Sequence, residues 1–241
     1  MTEKAAVVTG SASGIGLATC TGLLDAGYRV LGLDRSGPGS SHPDYEHVRL
    51  DVTDSDRLAE EIGRFTPGSA VNLLVTCAGQ REICHTRQLA PSRFREILEV
   101  NTTSVFVAGQ AFCERVIAAS AAGSIVNIAS VAGVLGEPNR TAYVTSKHAT
   151  IGLTKQFAVD YAPFSIRANA VAPGVIRTPL TEQYFADDDQ VGRILQGQLV
   201  KEIGTVADVV RAVLFLADAE ATFVTGSTIF VDGGWSAAKV L

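Results

Sequence analysis

A tyrosine and a lysine four residues apart are the first residues in this sequence that could do chemistry. Tyr143 and Lys147 lie in the run AYVTSK, and Ser130 lies thirteen positions before Tyr143. A helix would place the phenol and the ammonium on one face. A cation held there would lower the pKa of the phenol and make Tyr143 a usable proton donor and acceptor. An exposed helical pair of no function is the alternative, because this spacing is common by chance.

Composition and charge restrict the class of function. The 241 residues include 20 basic and 25 acidic side chains, for a net charge of −5, and 46% are hydrophobic. Because no lysine and arginine cluster is present, we expect no nucleic-acid partner and no anionic membrane surface. No apolar stretch approaches the roughly 18 residues of a membrane span. The first residues lack the pattern of a secretion signal, so we expect a cytoplasmic protein.

Four cysteines follow no metal-binding spacing. Cys20, Cys77, Cys84 and Cys113 form no CxxC pair and have no histidine-rich neighbours. Neither a zinc site nor a disulfide framework is indicated. We expect free thiols in a reducing compartment.

Short apolar strands alternate with longer helical patterns along the chain. Strands are predicted at Ala5–Val8, Tyr28–Leu33, Val48–Leu50, Val71–Val75, Ser124–Ile128, Ile166–Val171 and Thr228–Val231. Helices are predicted at Gly14–Ala26, Ser55–Ile62, Ser92–Val100, Thr103–Ser120, Tyr143–Asp160 and Val206–Ala217. Near-continuous apolar strands, each followed by a helix, indicate a parallel sheet buried on both faces. The prediction is one α/β domain over residues 1–241, with a mainly parallel, doubly wound, seven-stranded sheet.

A glycine-rich loop follows the first predicted strand and opens the first helix. Its sequence, TGSASGIG, has the spacing G-x-x-x-G-x-G rather than the commoner G-x-G-x-x-G. Glycines let the backbone approach a pyrophosphate, and the amides and positive end of the helix attract it. A glycine and serine turn without a ligand is the alternative. The candidates for binding a dinucleotide are Gly10, Ser13, Gly14, Ile15 and Gly16.

An acid ends the second predicted strand, about where a ribose-binding carboxylate is expected, roughly 20 residues after the glycines. Asp34 could accept hydrogen bonds from both adenosine ribose hydroxyls and would repel a 2′-phosphate, which favours NAD over NADP. Arg35 complicates this preference, because a guanidinium can bind that phosphate. We still favour NAD, since Ser13 adds no second cation in the loop. Asp51 and Val52 could contact adenine, although Asp51 could also simply begin a turn.

The ordered motifs resemble those of the short-chain dehydrogenase/reductase superfamily. They are the loop from Thr9 to Gly16, Ser130, Tyr143 with Lys147, and the turn Pro173-Gly174. The resemblance extends over essentially the whole chain. It implies a Rossmann-like fold and an NAD(H)-dependent oxidoreductase that moves a hydride between the nicotinamide and a secondary alcohol or ketone.

One segment departs from the family pattern. After the fourth strand the family usually has NNAG, but this chain has Thr76-Cys77-Ala78-Gly79. The Ala-Gly backbone beside the cofactor is retained, so Cys77, Ala78 and Gly79 remain candidates for cofactor binding. The bracing of strands by an asparagine is expected to be lost.

The resemblance also implies roles for the catalytic candidates. Tyr143 would give a proton to a carbonyl oxygen or take one from an alcohol, and Ser130 would hold the substrate oxygen. Lys147 would lower the pKa of Tyr143 and bind the nicotinamide ribose. Asn101 matches the family asparagine that interrupts a helix and anchors a water beside Lys147. The alternative for Asn101 is an N-cap of the next helix.

A second segment matches the part of the family that holds the nicotinamide carboxamide. Pro173, Gly174, Ile176 and Thr178 are its candidates, with an ordinary Pro-Gly turn as the alternative. The nicotinamide supplies the hydride chemistry, so no metal is required.

The region from residue 180 to about residue 204 has a weak pattern and corresponds to a mobile lid in the family. Its aspartates, residues 187–189, are interpreted as a solvated surface rather than a cation site. Arg81 and Arg140 suggest a substrate that carries a carboxylate. Other candidates for substrate contacts are Gln80, His85 and residues 131–140.

Two other functions remain open. The first is an NADPH-dependent 3-oxoacyl-[acyl-carrier-protein] reductase, and the more distant one is a non-catalytic nucleotide-binding regulator. Family members usually form homotetramers or homodimers through the helices at Thr103–Ser120 and Tyr143–Asp160, so the resemblance implies such an assembly. The substrate would be a small alcohol or ketone.

Overall fold

Seven parallel strands form the centre of the molecule. A computed structural model describes residues 4–65 and 71–237, so the remaining parts of the predicted domain, residues 1–3, 66–70 and 238–241, lie outside the described residues. The strands are β1 (Lys4–Thr9), β2 (Tyr28–Asp34), β3 (Tyr45–Arg49), β4 (Val71–Thr76), β5 (Gly123–Ile128), β6 (Ile166–Pro173) and β7 (Thr228–Val231). They are arranged in the order β3-β2-β1-β4-β5-β6-β7, and every neighbouring pair is parallel.

Helices cover both faces of the sheet. They are α1 (Gly14–Asp25), α2 (Ser55–Arg64), α3 (Pro91–Leu98), α4 (Ser104–Ala118), α5 (Thr141–Tyr161), α6 (Asp188–Gly197) and α7 (Val206–Ala217). None of the helices in the described ranges combines the length and the apolarity that crossing a bilayer requires. The predicted doubly wound, single-domain α/β fold is confirmed.

Alternation along the strands divides the core into two layers. Val7 of β1 packs in a cluster with residues of α2, α4 and α5, whereas Val8 packs in a cluster with residues of α1 and α7. Successive side chains of a strand point to opposite faces. Residues 5–8 of β1 are fully buried on both sides, which explains why the strand sequence is apolar throughout.

The structure corrects some of the predicted boundaries. Strand β3 begins at Tyr45, three residues before the predicted Val48, because Tyr45 already pairs with Val30 of β2. Helix α6 was not predicted within the weak region. Asp187 accepts a hydrogen bond from the Asp189 amide at the start of α6, and Ile194 of α6 is buried. One buried side chain per ten residues leaves too little apolar periodicity for a sequence-based prediction.

Candidate active site

A cleft of about 470 Å³ opens at the carboxyl ends of the strands. Its walls come from the ends of β1, β2, β4, β5 and β6, across the point where the strand order reverses. Open α/β sheets bind ligands at such a point. Every predicted cofactor-binding residue except Asn101 lines the cleft: Gly10, Ser13, Gly14, Ile15, Gly16, Asp34, Arg35, Asp51, Val52, Cys77, Ala78, Gly79, Tyr143, Lys147, Pro173, Gly174, Ile176 and Thr178.

Other residues of the cleft wall were missed by the sequence analysis. They are Leu33, Ser36, Leu50, Val100, Ile128, Ala129, Pro179, Leu180 and Thr181. Most of them adjoin a predicted residue at a strand end, so their position in the sequence was a usable signal. For Thr181, as for Leu180, the signal was its place in the predicted lid region, residues 180–204. The Thr181 hydroxyl donates to the Ile176 carbonyl at 2.5 Å and accepts from the Thr178 amide at 2.9 Å.

The glycine loop leaves no space for side chains at two positions. A Cβ atom on Gly16 would lie 1.9 Å from the Gly10 carbonyl oxygen, and one on Gly10 would lie 2.6 Å from the Ala78 amide nitrogen. Gly10 also has a φ of +68°, which favours glycine. The side chain of Ser13, the N-cap of α1, makes no capping hydrogen bond. The loop and the uncapped start of α1 therefore fit a pyrophosphate.

Asp34 connects the end of β2 to the glycine loop. Its carboxylate accepts hydrogen bonds from the Ala12 amide at 3.1 Å and from the Ser36 amide at 2.8 Å. Each carboxylate oxygen has two acceptor positions, so both can still accept a hydrogen bond from a ribose hydroxyl. The Arg35 side chain is exposed. These residues fit the adenosine half of a nicotinamide dinucleotide.

Asp51 begins a turn, as in the alternative interpretation, and also lines the cleft. Its carboxylate accepts hydrogen bonds from the Thr53 amide at 3.0 Å and the Thr53 hydroxyl at 2.8 Å. These bonds hold the pKa of Asp51 below its ordinary value. The neighbouring Val52 is buried.

The departure from the family tetrapeptide does not leave the strands unbraced. The Thr76 hydroxyl donates to Asn127 at 2.8 Å, joining β4 to β5, and Asn127 donates to Thr154 of α5 at 2.9 Å. The Thr9 hydroxyl accepts from the Cys77 amide at 3.2 Å. The expected asparagine is absent, but a threonine hydroxyl supplies the connection.

Ser130, Tyr143 and Lys147 meet at the edge of the cleft. The Ser130 hydroxyl accepts from the Ala132 amide at 3.1 Å and lies close enough to the Tyr143 phenol to act on its pKa. The Lys147 ammonium lies 5.8 Å from the centre of the Tyr143 ring and donates to the Ile128 carbonyl at 2.8 Å. Helix α5 carries the predicted pair on one face, toward the end of β5.

The prediction that Lys147 leaves Tyr143 with a lowered pKa was wrong for the protein alone. Burial raises the pKa of Tyr143, and the neighbouring Ser130 hydroxyl offsets only part of that rise. Burial also lowers the pKa of Lys147 to about 8. Burial is the largest cause of both shifts, and the ammonium is directed at the Ile128 carbonyl rather than at the phenol oxygen.

Asn101 supports the site from behind the cleft. It lies in a π-helical turn, residues 99–103, that joins α3 to α4. The Asn101 side chain accepts from the Gln80 amide and donates to the Gln80 carbonyl, both at 2.8 Å, and also donates to the Ser146 hydroxyl at 2.9 Å. Thr103, not Asn101, is the N-cap residue of α4, so the N-cap alternative was wrong.

The segment after β6 is held at both ends. The Gly174 amide donates to the Val231 carbonyl of β7 at 2.9 Å, and the Arg177 amide donates to the Gly204 carbonyl at 3.1 Å. Thr178 shares a hydrogen bond with Thr181 at 3.0 Å. This segment is therefore more than an ordinary Pro-Gly turn, because it connects the cleft to the start and the end of residues 180–204.

Two arginines contact the predicted lid region. Arg81 donates to the Tyr184 hydroxyl at 2.6 Å and to the Leu180 carbonyl, and Arg140 donates to the Tyr184 hydroxyl and to the Glu82 carbonyl. The Arg81 guanidinium stacks over the Tyr184 ring at 4.5 Å. Arg81 lies near Tyr143, since its charge acts on the phenol.

Two nearby residues differ from expectation. His85 is exposed and accepts from the Arg87 amide within its own turn, at 3.2 Å, rather than lining the cleft. Glu82 is buried and was not predicted. Its carboxylate accepts from the Ala142 amide at 2.7 Å and from the Tyr143 amide at 3.1 Å, which caps helix α5. No sequence signal links Glu82 to a helix about sixty residues later.

Comparison with known proteins gives consistent relatives. The model of a family described as enoyl-(acyl carrier protein) reductase matches residues 10–236. The 2-(R)-hydroxypropyl-CoM dehydrogenase of Xanthobacter autotrophicus is 38% identical, with 98% of this chain and 99% of the relative covered. A cyclopentanol dehydrogenase of Comamonas testosteroni is 36% identical, with 98% of each chain covered. The 3-oxoacyl-[acyl-carrier-protein] reductase FabG of Thermotoga maritima is 34% identical, with coverages of 96% and 97%.

Solved structures share the fold over the whole chain. A 4-hydroxyisoleucine dehydrogenase complexed with NADH has a TM-score of 0.93 and 34% identity, covering 98% of this chain and all of that one. ElxO with NADP bound has a TM-score of 0.90 and 28% identity, covering 99% of this chain and all of that one. The similar structures therefore include complexes with both nicotinamide cofactors.

Proposed function

Because the chain belongs to the short-chain dehydrogenase/reductase superfamily and is thus an oxidoreductase, we propose that it moves a hydride between NAD and a secondary alcohol or ketone, with Tyr143 as general acid and base. One observation carries the proposal. Ser130, Tyr143 and Lys147 meet at a cleft whose other wall is a glycine loop with no space for side chains.

The residues of this chain handle the proton and position the reactants. When bound, the nicotinamide accepts or supplies the hydride. During oxidation, Ser130 holds the alcohol oxygen while Tyr143 takes its proton, and the alcohol carbon loses the hydride. In reduction the same proton returns from Tyr143 to the carbonyl oxygen. Lys147 binds the ribose, and Asn101 holds the helix and loop that surround it.

Substitution of Tyr143 tests the proposed chemistry. Tyr143→Phe keeps the ring but removes the proton-transfer group, so we expect kcat to fall by about 10² to 10⁴-fold. NADH binding, followed by the fluorescence of the bound dinucleotide, should persist. Full activity in Tyr143→Phe would contradict the proposed role.

The preference for NAD rests on Asp34. Its carboxylate is held at the end of β2 by two backbone amides, where it would repel a 2′-phosphate. The comparison of kcat/KM with NADH and with NADPH tests this preference. A strong preference for NADPH would instead support the second candidate, a 3-oxoacyl-[acyl-carrier-protein] reductase, which the FabG relative and Arg35 favour. Dinucleotide binding without any turnover would support a non-catalytic regulator.

Residues 180–204 are proposed to act as a lid over the substrate. Leu180 lines the cleft, and Thr181 bonds to the segment after β6. Leu199 and Val200 are about half exposed, as expected of a segment with few core contacts. Hydrogen exchange of these residues should slow when NADH and a substrate are added together.

A homotetramer or homodimer is the proposed assembly. Helices α4 and α5 and the edge strand β7 expose large apolar side chains, namely Phe106, Val159 and Phe230. These are the elements through which members of the family usually associate, which supports the proposed assembly. Gel filtration with light scattering measures the mass, and a monomer would contradict the proposal.

The free thiols support the cytoplasm as the proposed location. All four cysteines, Cys20, Cys77, Cys84 and Cys113, are unpaired. Unpaired thiols are typical of reducing compartments. Cell fractionation followed by detection of the protein tests this location.

A further inference from the structure

Two guanidinium groups converge on one neutral oxygen beside the proposed active site. Arg81 and Arg140, from two loops far apart in the sequence, both donate to the Tyr184 hydroxyl. The other hydrogen bonds recorded for the two side chains go to the carbonyls of Leu180 and Glu82. An oxygen that accepts hydrogen bonds from two cationic groups is usually a carboxylate oxygen.

This cluster holds more positive charge than the protein compensates. In residues 4–65 and 71–237, neither Arg81 nor Arg140 forms an ion pair within 4.0 Å. Arg140 is only 7% exposed. Glu137 is within electrostatic range of both arginines but forms no ion pair with either, and burial raises the pKa of its carboxyl, which disfavours its charged form. A buried cation without a close counter-ion is unfavourable unless a ligand supplies the charge.

The two arginines also lie on the side of the cleft near Tyr143. Arg81 acts electrostatically on the Tyr143 phenol, and its Leu180 partner lines the cleft. A group bound by these guanidiniums would therefore belong to the same molecule whose oxygen meets Ser130 and Tyr143.

We propose that Arg81 and Arg140 form a carboxylate-binding subsite, so that the substrate is a hydroxy acid or its keto acid. The planar fork of a guanidinium matches the two oxygens of a carboxylate. The Tyr184 hydroxyl holds the position of one carboxylate oxygen and is displaced when the substrate binds. Since Tyr184 belongs to residues 180–204, its displacement couples substrate charge to the position of the lid. This inference rests on the proposed function, because the hydroxyl to be oxidised must lie at Tyr143.

Matched acids and amides test the subsite without turnover. Acetate, butanoate and hexanoate, each with its neutral amide, are titrated by calorimetry into the protein loaded with NAD. The three chain lengths sample the distance between the subsite and the cleft. At the best length we expect the acid to bind at least about tenfold more tightly than the amide, from its charged hydrogen bonds.

Four variants separate the subsite from general effects. Arg81→Gln and Arg140→Gln should each abolish the preference for the acid. If Arg140→Gln fails to fold, the result for Arg81→Gln alone decides the test. Arg87→Gln removes an exposed charge from the same loop and should retain the preference. Tyr184→Phe should increase the preference, because no hydroxyl then competes for the two guanidiniums.

A kinetic comparison extends the test to a reacting pair. Butan-2-ol differs from 3-hydroxybutyrate only by a methyl in place of the carboxylate. The ratio of their kcat/KM values should fall toward one in Arg81→Gln, with the loss confined to the acid.

The outcomes distinguish this inference from the proposed function. Equal binding of acids and amides, no binding of either, or a preference that survives both arginine substitutions would overturn the subsite. Failure of the protein to bind NADH, or full activity of Tyr143→Phe, would instead overturn the proposed function.

Discussion

The proposed cofactor side of the cleft is formed mainly by backbone, whereas the proposed substrate side is formed mainly by long side chains. The cofactor side consists of backbone at the ends of β1, β2 and β4, packed so closely that Gly10 and Gly16 cannot carry a side chain. The proposed substrate side adjoins the cleft at Leu180 and includes long side chains from separate segments, such as Arg81, Arg140 and Tyr184. The first can change little without loss of the fold, whereas the second can change by single substitutions. Under the proposed function, backbone would form much of the cofactor site, and long side chains would set the substrate.

If the cofactor side tolerates no added atom, Gly16→Ala should have the largest effect. The new Cβ would meet the Gly10 carbonyl at 1.9 Å, and the backbone must move. We expect a loss of about 3 kcal/mol in the free energy of unfolding, together with loss of NADH binding. Urea denaturation and dinucleotide fluorescence measure the two effects.

Gly63 of α2 provides a matched control for that substitution. A Cβ on Gly63 would meet nothing within 4 Å. Gly63→Ala should therefore stabilise the protein by about 0.5–1 kcal/mol, from helix propensity. Equal effects at the two glycines would contradict the described difference between the two sides.

Lys147, at the boundary between the two sides, should make stability depend on pH. Burial lowers its pKa from an ordinary 10.5 to about 8 in the folded state. Between these values the unfolded chain holds more protons, so the free energy of unfolding rises with pH. Between pH 8 and 10 the free energy of unfolding of the wild type should rise by roughly 2 kcal/mol relative to that of Lys147→Met. Parallel stability curves for the two proteins would refute the burial of a charged Lys147.

Substitution of Glu82 tests whether the substrate side also stabilises helix α5, which carries Tyr143 and Lys147. Glu82→Ala leaves the amides of Ala142 and Tyr143 without an acceptor, which should cost about 1–2 kcal/mol. Glu82→Gln keeps one acceptor oxygen and should cost less. Chemical denaturation measures both, and equal losses in the two variants would show that the cap is not the cause.

Asp187→Ala should have the smallest effect, because it acts within the proposed lid. Removing the cap of α6 costs about 1 kcal/mol locally. Faster hydrogen exchange confined to residues 188–197, with unchanged global unfolding, is the expected result. A drop in global stability would mean that this segment belongs to the cooperative core.

The accuracy of the sequence-based predictions follows the range of the interactions involved. The seven strands and the helices between them were predictable, because apolar runs and helical periodicity are local. Helix α6 was not, since its one buried residue, Ile194, leaves no apolar periodicity to detect, although its cap at Asp187 is local. The glycine spacing and Asp34, which are also local signals, predicted one wall of the cleft. The contact of Glu82 with α5 joins distant parts of the chain, so no local pattern could reveal it.

The parallel sheet and the helical face shared by Tyr143 and Lys147 followed from the amino-acid sequence alone. These follow from periodicities of two and 3.6 residues and from strand ends, which need no knowledge of distant contacts. The upward shift of the Tyr143 pKa and the convergence of Arg81 and Arg140 on Tyr184 became apparent only in the folded molecule. Both depend on how far water is excluded and on which distant side chains approach, and these are properties of packing.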